Sequence, residues 1–251
     1  MKLKSIVQYK GTGYCGFSKQ ANEPTIEAAL VKALSVVLKR KPVISVAGRT
    51  DSGVHALGQV ISFRAGVKTG FDEMRYRLNS LLPEDIQIRK IEAVEDDFDA
   101  RHSAVARQYV YYILNRRYAS MVHDDFCFSY AQKMDIKMMR KAAKNFTGVH
   151  DFKSFAAAEA KSSSFVREVS TFKIENKSDF FDAANKDMIK ITVKANAFLH
   201  HMVRNMVGTL VEVGLGNRKP EAVEIILKSK DRKKAGPTAA AKGLYLEKVY
   251  Y

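Results

Sequence analysis

The 251-residue sequence predicts an α+β fold, two similar lobes of largely antiparallel sheet flanked by helices. Three observations predict it. Strand-like segments alternate apolar and polar residues, as sheets with one wetted face do. Between them lie stretches with an apolar stripe at helical spacing. A polar break at 98–108, FDARHSAVARQ, separates two halves that each hold both kinds of segment. The domains are taken as residues 1–104 and 105–251, each long enough to bury a core.

In chain order, LKSIVQY, PVISVAG, QVISFRA and IQIRKIEAV read as strands of the first half. Ile26, Leu30, Leu34 and Val37 form a helical stripe opened by Pro24, and FDEMRYRLNSLL continues the pattern more weakly. In the second half QYVYYIL, REVSTFKIE, MIKITVKAN and GLYLEKVYY read as strands, and MDIKMMRKAAKNF as a helix. The clearest helix is FLHHMVRNMVGTLVEVG, where Leu199, Met202, Val203, Met206, Val207, Leu210 and Val211 keep helical spacing throughout.

Charge narrows the class of partner. Lys and Arg number 42 against 27 Asp and Glu, a formal net charge of +15, which favours a polyanion because each neutralised phosphate releases condensed counterions. The charge is spread along the chain, and KSKDRKK at 228–234 reads locally as a solvated helix end and loop. No apolar run is long enough to span a bilayer, and MKLKSIVQYKG reads as a charged strand rather than a signal peptide. The expectation is a cytoplasmic protein with no membrane partner. Cys15 and Cys127 lie far apart without a CxxC or Cys/His pattern, so reduced thiols are expected.

Several motifs fall away on context. GTGYCG at 11–16 fits a dinucleotide-binding spacing, but FSKQANEPT intervenes before any helix and no acidic residue ends a second strand about twenty residues on. It reads as a glycine turn, with Tyr14 and Phe17 either in the core or facing a ligand. His200 and His201, adjacent on the expected helix, would point about 100° apart and so not share an ion, and the other histidines are scattered. No metal site is expected.

That leaves SVAGRTDSGVHALGQVISF, residues 45–63, with Asp51 between a threonine and a Ser-Gly pair. An aspartic-protease reading needs two carboxylates, and this is the one D-[ST]-G tripeptide in the chain. An Asx-type turn between strands is the simpler reading of the residues alone. The surrounding chain tips the balance. AGRTDSGVHALGQVISF resembles the GRTDxGVHxxGQV signature of the TruA family of tRNA pseudouridine synthases. NSLLPEDIQI, FDARHSAVARQYVYYI, HDFKSF, NAFLHHMVRNMVGTLVEVGLG and AGPTAAAKGLYLEKVYY are similar to further family segments, in order. The family's first motif resembles YDGTxYxGWQxQ; here YKGTGYCGFSKQ puts Lys10, Phe17 and Ser18 where the family has an acid, a tryptophan and a glutamine.

The resemblance implies a basic catalytic cleft between the lobes and isomerisation of uridine to pseudouridine at tRNA positions 38, 39 and 40. It also implies a homodimer acting on tRNA rather than DNA. Asp51 is implied as the catalytic carboxylate and Arg204 as its cationic partner, the latter on the edge of the helical stripe beside Val207 and His200. Tyr109 is implied to pack on the target base, Arg49 to fill the gap left by the flipped uridine, and Leu244 to lie beside the base. From the residues alone, Tyr109 can equally be a core aromatic, as Tyr111 and Tyr112 follow it, and Arg204 a snorkelling surface arginine. The isomerisation transfers no electrons and no external group, so no cofactor is expected. A synthase with another uridine target and a tRNA chaperone without catalysis are the competing readings. Whether Asp51 attacks ribose, attacks uracil or removes a ribose proton stays open.

Overall fold

The computed structural model describes residues 1–66, 70–118, 121–181 and 183–251. The chain is α+β, divides into two compact units, and the division falls after Val105. Among the described residues no helix is long and apolar enough to cross a membrane.

The first unit opens with β1 (Lys2–Tyr9), followed by α1 (Ile26–Leu38), β2 (Ile44–Val46), β3 (His55–Arg64), α2 (Phe71–Leu81) and β4 (Ile86–Val94). β1 runs antiparallel to β3 on one side and β4 on the other, and strictly alternates half-exposed and buried residues, as its sequence pattern requires. α1 starts where Thr25 Oγ1 accepts the Ala28 N–H (3.4 Å), immediately after Pro24, and buries Ile26, Leu30, Ala33 and Leu34. α2 is tied to its neighbouring strand by one amide. Asn79 Nδ2 donates to Ile88 O (3.0 Å) and Asn79 Oδ1 accepts the Ile88 N–H (2.8 Å), so the side chain stands in for a strand partner beside a register shift in β4.

The second unit holds β5 (Ala106–Leu114), β6 (Phe128–Ser129), α3 (Ile136–Ala143), β7 (Gly148–Asp151), β8 (Val166–Lys177), β9 (Met188–Ala195), α4 (Met202–Gly214) and α5 (Ala222–Ser229). β5, β9, β8 and β7 pair in that order, each antiparallel to the next, and β6 adds a short parallel pairing to β5. β6 and β7 escape sequence reading because two and four residues are too few to show a period. Asp135 caps α3, its carboxylate accepting from Lys137 N (2.8 Å) and Met138 N (3.1 Å). Asp135→Ala is expected to cost about 1 kcal/mol, read as a lowered urea midpoint with unchanged m-value.

β10 (Leu244–Tyr250) closes the chain. Sequence order assigns these last residues to the second half, but Tyr245–Tyr251 belong to the first unit, where Tyr245 and Leu246 pair in parallel with His55 and Ala56 of β3. The partner of a strand is decided by which edge is available in space, and the start of β3 offers one. Gly58 permits the approach: a Cβ there would lie 2.5 Å from Glu247 O.

Candidate active site

Asp51 sits on the turn that leads into β3. The Val54 N–H donates to Asp51 O (3.1 Å), and the third residue of the turn, Gly53, has φ of 75°. A positive φ at that position is cheap for glycine and costly for other residues, which accounts for the glycine of TDSG. The turn and functional readings of Asp51 are therefore compatible. The backbone makes the turn, and the half-buried carboxyl-bearing residue occupies its first corner.

The glycine-rich loop at 11–17 braces that turn from behind. The Gly53 N–H and Ser52 Oγ both donate to Tyr14 O (3.3 and 3.2 Å), and the Phe17 N–H donates to Thr50 O (3.0 Å). Packing is close enough to require glycine: a Cβ on Gly11 would lie 2.0 Å from Val54 O, and one on Gly16, where φ is +94°, 2.9 Å from Thr50 O. Tyr14 and Phe17 are both buried, and Tyr14 Oη donates to Asp85 Oδ1 (2.6 Å). Burial, reinforced by the Asp85 carboxylate, pushes the Tyr14 phenol well above its ordinary range, so it stays a donor. Of the departures from the family's first motif, Phe17 fills core and Lys10 donates its N–H to Asp85 O (2.9 Å).

His55, at the start of β3, is buried, accepts the Gly11 N–H on Nδ1 (3.1 Å) and stacks on Tyr245 with ring centroids 4.6 Å apart at 20°. An accepting Nδ1 places the neutral ring's proton on Nε2. Arg49 is exposed on the same loop as Asp51.

In the second unit Tyr109 lies in β5 opposite Val193, is buried, and meets Phe198 edge-on with centroids 5.0 Å apart at 82°. Tyr111, one strand repeat further on, donates Oη to Ala240 O (2.7 Å). Burial holds its phenol well above the usual value, against an opposing pull from the Arg204 guanidinium. Arg204 is half-buried in the first turn of α4. Its Nε donates to Ala239 O (2.8 Å) while the Ala239 N–H donates back to Arg204 O (3.1 Å).

The strap that carries Ala239 is laced to α4 along its length. Gly236 N donates to Thr209 Oγ1 (2.9 Å), and Thr238 Oγ1 donates to Asn205 Oδ1 (2.7 Å). Arg232 donates to Gly236 O (3.0 Å), Asn205 Oδ1 (3.0 Å) and Thr238 Oγ1 (3.1 Å). Leu244, buried, lies at the downstream end of this segment. Asp51 and Arg49 thus share one loop of the first unit, whereas Tyr109, Arg204 and Leu244 belong to the second.

One expectation about the histidines is corrected. α4 begins at Met202, with His201 in a left-handed conformation (φ 60°) ahead of it. His200 and His201 are therefore not on a helix, and their rings lie 4.0 Å apart at 39°. The helical angle that kept them apart does not apply, and Arg204 has no helical neighbour at position 200. The apolar run continues upstream through Leu199, but the chain turns there, so periodicity overran the helix start.

A family model described as tRNA pseudouridine synthase matches residues 6–103 and 142–251. The chain belongs to that family. It is 42% identical over 246 residues to the tRNA pseudouridine synthase A of Thermoanaerobacter sp. (strain X514), covering 98% of both chains. It is 37% identical over 254 residues to the protein of the same name from Bacillus subtilis (strain 168), covering 100% of this chain and 99% of that one. Among solved structures it is similar to a chain in a Cbf5-Nop10-Gar1 complex with TM-score 0.36 and 9% identity, covering 83% of this chain and 54% of that one, too slight a likeness to bear on the fold. Within the family match fall Arg49, Asp51, Arg204 and Leu244; Tyr109 lies between the two matched blocks.

Sequence reading of this synthase-family chain overlooked the residues that hold the loop and the strap. Tyr9, Thr50, Gln59 and His55 support the first, and Asn205, Thr209 and Arg232 the second. A signal was present: Gln59 and His55 stand among the apolar residues of a mostly apolar strand, and Asn205 and Thr209 sit four apart on a mostly apolar helix. Polar side chains in such places are buried with partners or not tolerated.

Proposed function

We propose that this member of the tRNA pseudouridine synthase family isomerises uridine to pseudouridine at positions 38, 39 and 40 in the anticodon stem-loop of tRNA. The observation that carries the reading is the braced turn. It presents one half-buried carboxyl group, Asp51, inside a segment that matches the family, with the arginine Arg49 exposed two residues before it. The reaction breaks the bond between uracil N1 and the ribose, turns the base and joins C5 to the same ribose carbon, the proton lost from C5 being matched by one gained at N1. A single carboxylate held still can serve it as nucleophile or base.

In this reading Asp51 does the covalent or proton-transfer work, Arg204 is its cationic partner and orients it, and Tyr109 packs on the base. Arg49 stacks into the space left when the uridine flips out, a step that costs a few kcal/mol, and Leu244 lies beside the base. Reactant and product are isomers and no electrons are transferred, so the reaction calls for neither metal nor organic cofactor. The enzyme acts as a homodimer in the cytoplasm.

Pseudouridine mapping at single-nucleotide resolution on an unmodified tRNA transcript with uridines at 38–40 tests the proposal. Conversion at those sites without added metal or cofactor is the expected result. Conversion elsewhere would indicate another uridine target, and tight binding without conversion anywhere would indicate a non-catalytic tRNA-binding protein. The excess of 42 Lys and Arg over 27 Asp and Glu adds a second expectation. A plot of log affinity for tRNA against log salt concentration should fall with a slope of about −0.7 to −0.9 per phosphate contacted, summed over several phosphates. A flat line would remove polyanion recognition.

A further inference from the structure

Directly behind Asp51 lies a buried chain of polar groups that the reaction itself does not use. Gln59, on β3 and fully buried, donates its Nε2 to Gly48 O (2.7 Å) and to Tyr9 Oη (3.2 Å), while its Oε1 accepts the Val60 N–H (3.1 Å). Tyr9 Oη in turn shares a hydrogen bond with Thr50 Oγ1 (2.8 Å). With Gln59 donating to its oxygen the Tyr9 phenol keeps its own proton, and in the bond between Tyr9 and Thr50 either hydroxyl can be the donor. Burial raises the Tyr9 phenol to about 12, so this donor is present across the working range of any neutral enzyme.

The chain grips the loop at Gly48 and Thr50, the two residues flanking Arg49, and Thr50 is bonded covalently to Asp51. Thr50 O is held separately by the Phe17 N–H. An apolar core would serve the sheet as well and would not bury three polar groups. What these groups supply is direction: they hold a loop, the least rigid kind of element, at two defined points.

We propose that Tyr9, Gln59 and Thr50 form a positioning clamp that sets the Asp51 carboxylate against the reacting sugar. The inference rests on the reading of Asp51 as the catalytic carboxylate. A displacement of the order of 1 Å at a reacting group costs up to about a hundredfold in rate, far more than it costs in substrate affinity held by distributed phosphate contacts.

Tyr9→Phe removes the hydroxyl and keeps the ring, Thr50→Val removes the hydroxyl and keeps the shape, and Thr50→Ser restores an oxygen. Steady-state turnover on the tRNA transcript, with Tm for each variant and Asp51→Asn in parallel, decides the matter. The expected result is a fall in kcat of about tenfold to a hundredfold for Tyr9→Phe and Thr50→Val with KM within about threefold, and recovery of most of that loss in Thr50→Ser. Wild-type kcat in Thr50→Val beside an inactive Asp51→Asn would overturn the clamp and leave the catalytic reading standing. Loss of kcat, KM and Tm together, with no recovery by serine, would reduce the three residues to structural packing and overturn it too. Activity in Asp51→Asn would overturn both readings. If Tyr9→Phe does not fold, the Thr50 pair carries the test alone.

Discussion

Asp51→Asn is expected to abolish turnover, by more than about a thousandfold, while leaving tRNA affinity within a few-fold of wild type. The substitution is nearly isosteric and spares the turn, because the Val54 N–H bonds to the backbone oxygen of residue 51 and the positive φ falls on Gly53. Thr50, Ser52 and Gly53 are likewise held through groups that the change does not touch. The fold should therefore survive, and with it the phosphate contacts expected from the excess of Lys and Arg. Removing one negative charge beside a polyanion can only favour binding, so weaker binding is not an acceptable explanation for lost activity. Pseudouridine mapping together with a binding titration checks both halves. Conversion at a tenth of the wild-type rate or better would return Asp51 to the role of a turn residue.

Gly208→Ala is expected to have the largest effect of any single added methyl group in the second unit. In an isolated helix the change would stabilise by about 1 kcal/mol, since alanine is the better helix former. Here the new Cβ would lie 1.7 Å from Pro237 O and 2.9 Å from Pro237 C, both backbone atoms that no rotamer change can move. Sterics win, and α4 and the 235–240 strap must separate. The bonds from Arg204 to Ala239, from Gly236 to Thr209 and from Thr238 to Asn205 lengthen together. A net loss of about 2–3 kcal/mol follows, a drop in Tm of roughly 5–10 °C for a chain of this size. Ala239 accepts from Arg204 Nε, so on the proposed role of Arg204 beside Asp51 kcat should fall further than tRNA binding. Gly13→Ala is the stability control, since nothing lies within 4 Å of its Cβ position and its Tm should hold. An unchanged Tm for Gly208→Ala would show that the strap is not packed as described.

Much of the architecture was legible in the residues. β1, β4, β5 and β9 lie where strand-like segments marked them, and α1 starts just after Pro24, because period and helix starts are local properties that short-range sterics enforce. Legibility ended where the outcome depends on distant chain. The apolar run through Leu199 suggested a helix from position 198, yet α4 starts at Met202, since the same apolar residues also suit a buried turn. GTGYCG was recognisable as a turn, but its use was not: that Gly11 and Gly16 lie against Val54 and Thr50 is a fact of packing between segments about forty residues apart in sequence.

By itself the sequence determined the fold class, the polyanion-seeking charge, the family likeness and the one carboxylate to suspect, because composition, periodicity and a contiguous signature are all readable along a line. Tertiary structure decided that β10 returns to β3 in the first unit, that a glycine loop and the Tyr9, Gln59 and Thr50 chain hold the Asp51 turn, and that a strap fixes Arg204. These pairings join residues far apart in the chain. They are chosen by which edges, cavities and polar groups remain to be satisfied once the local elements have formed, and no local pattern encodes that.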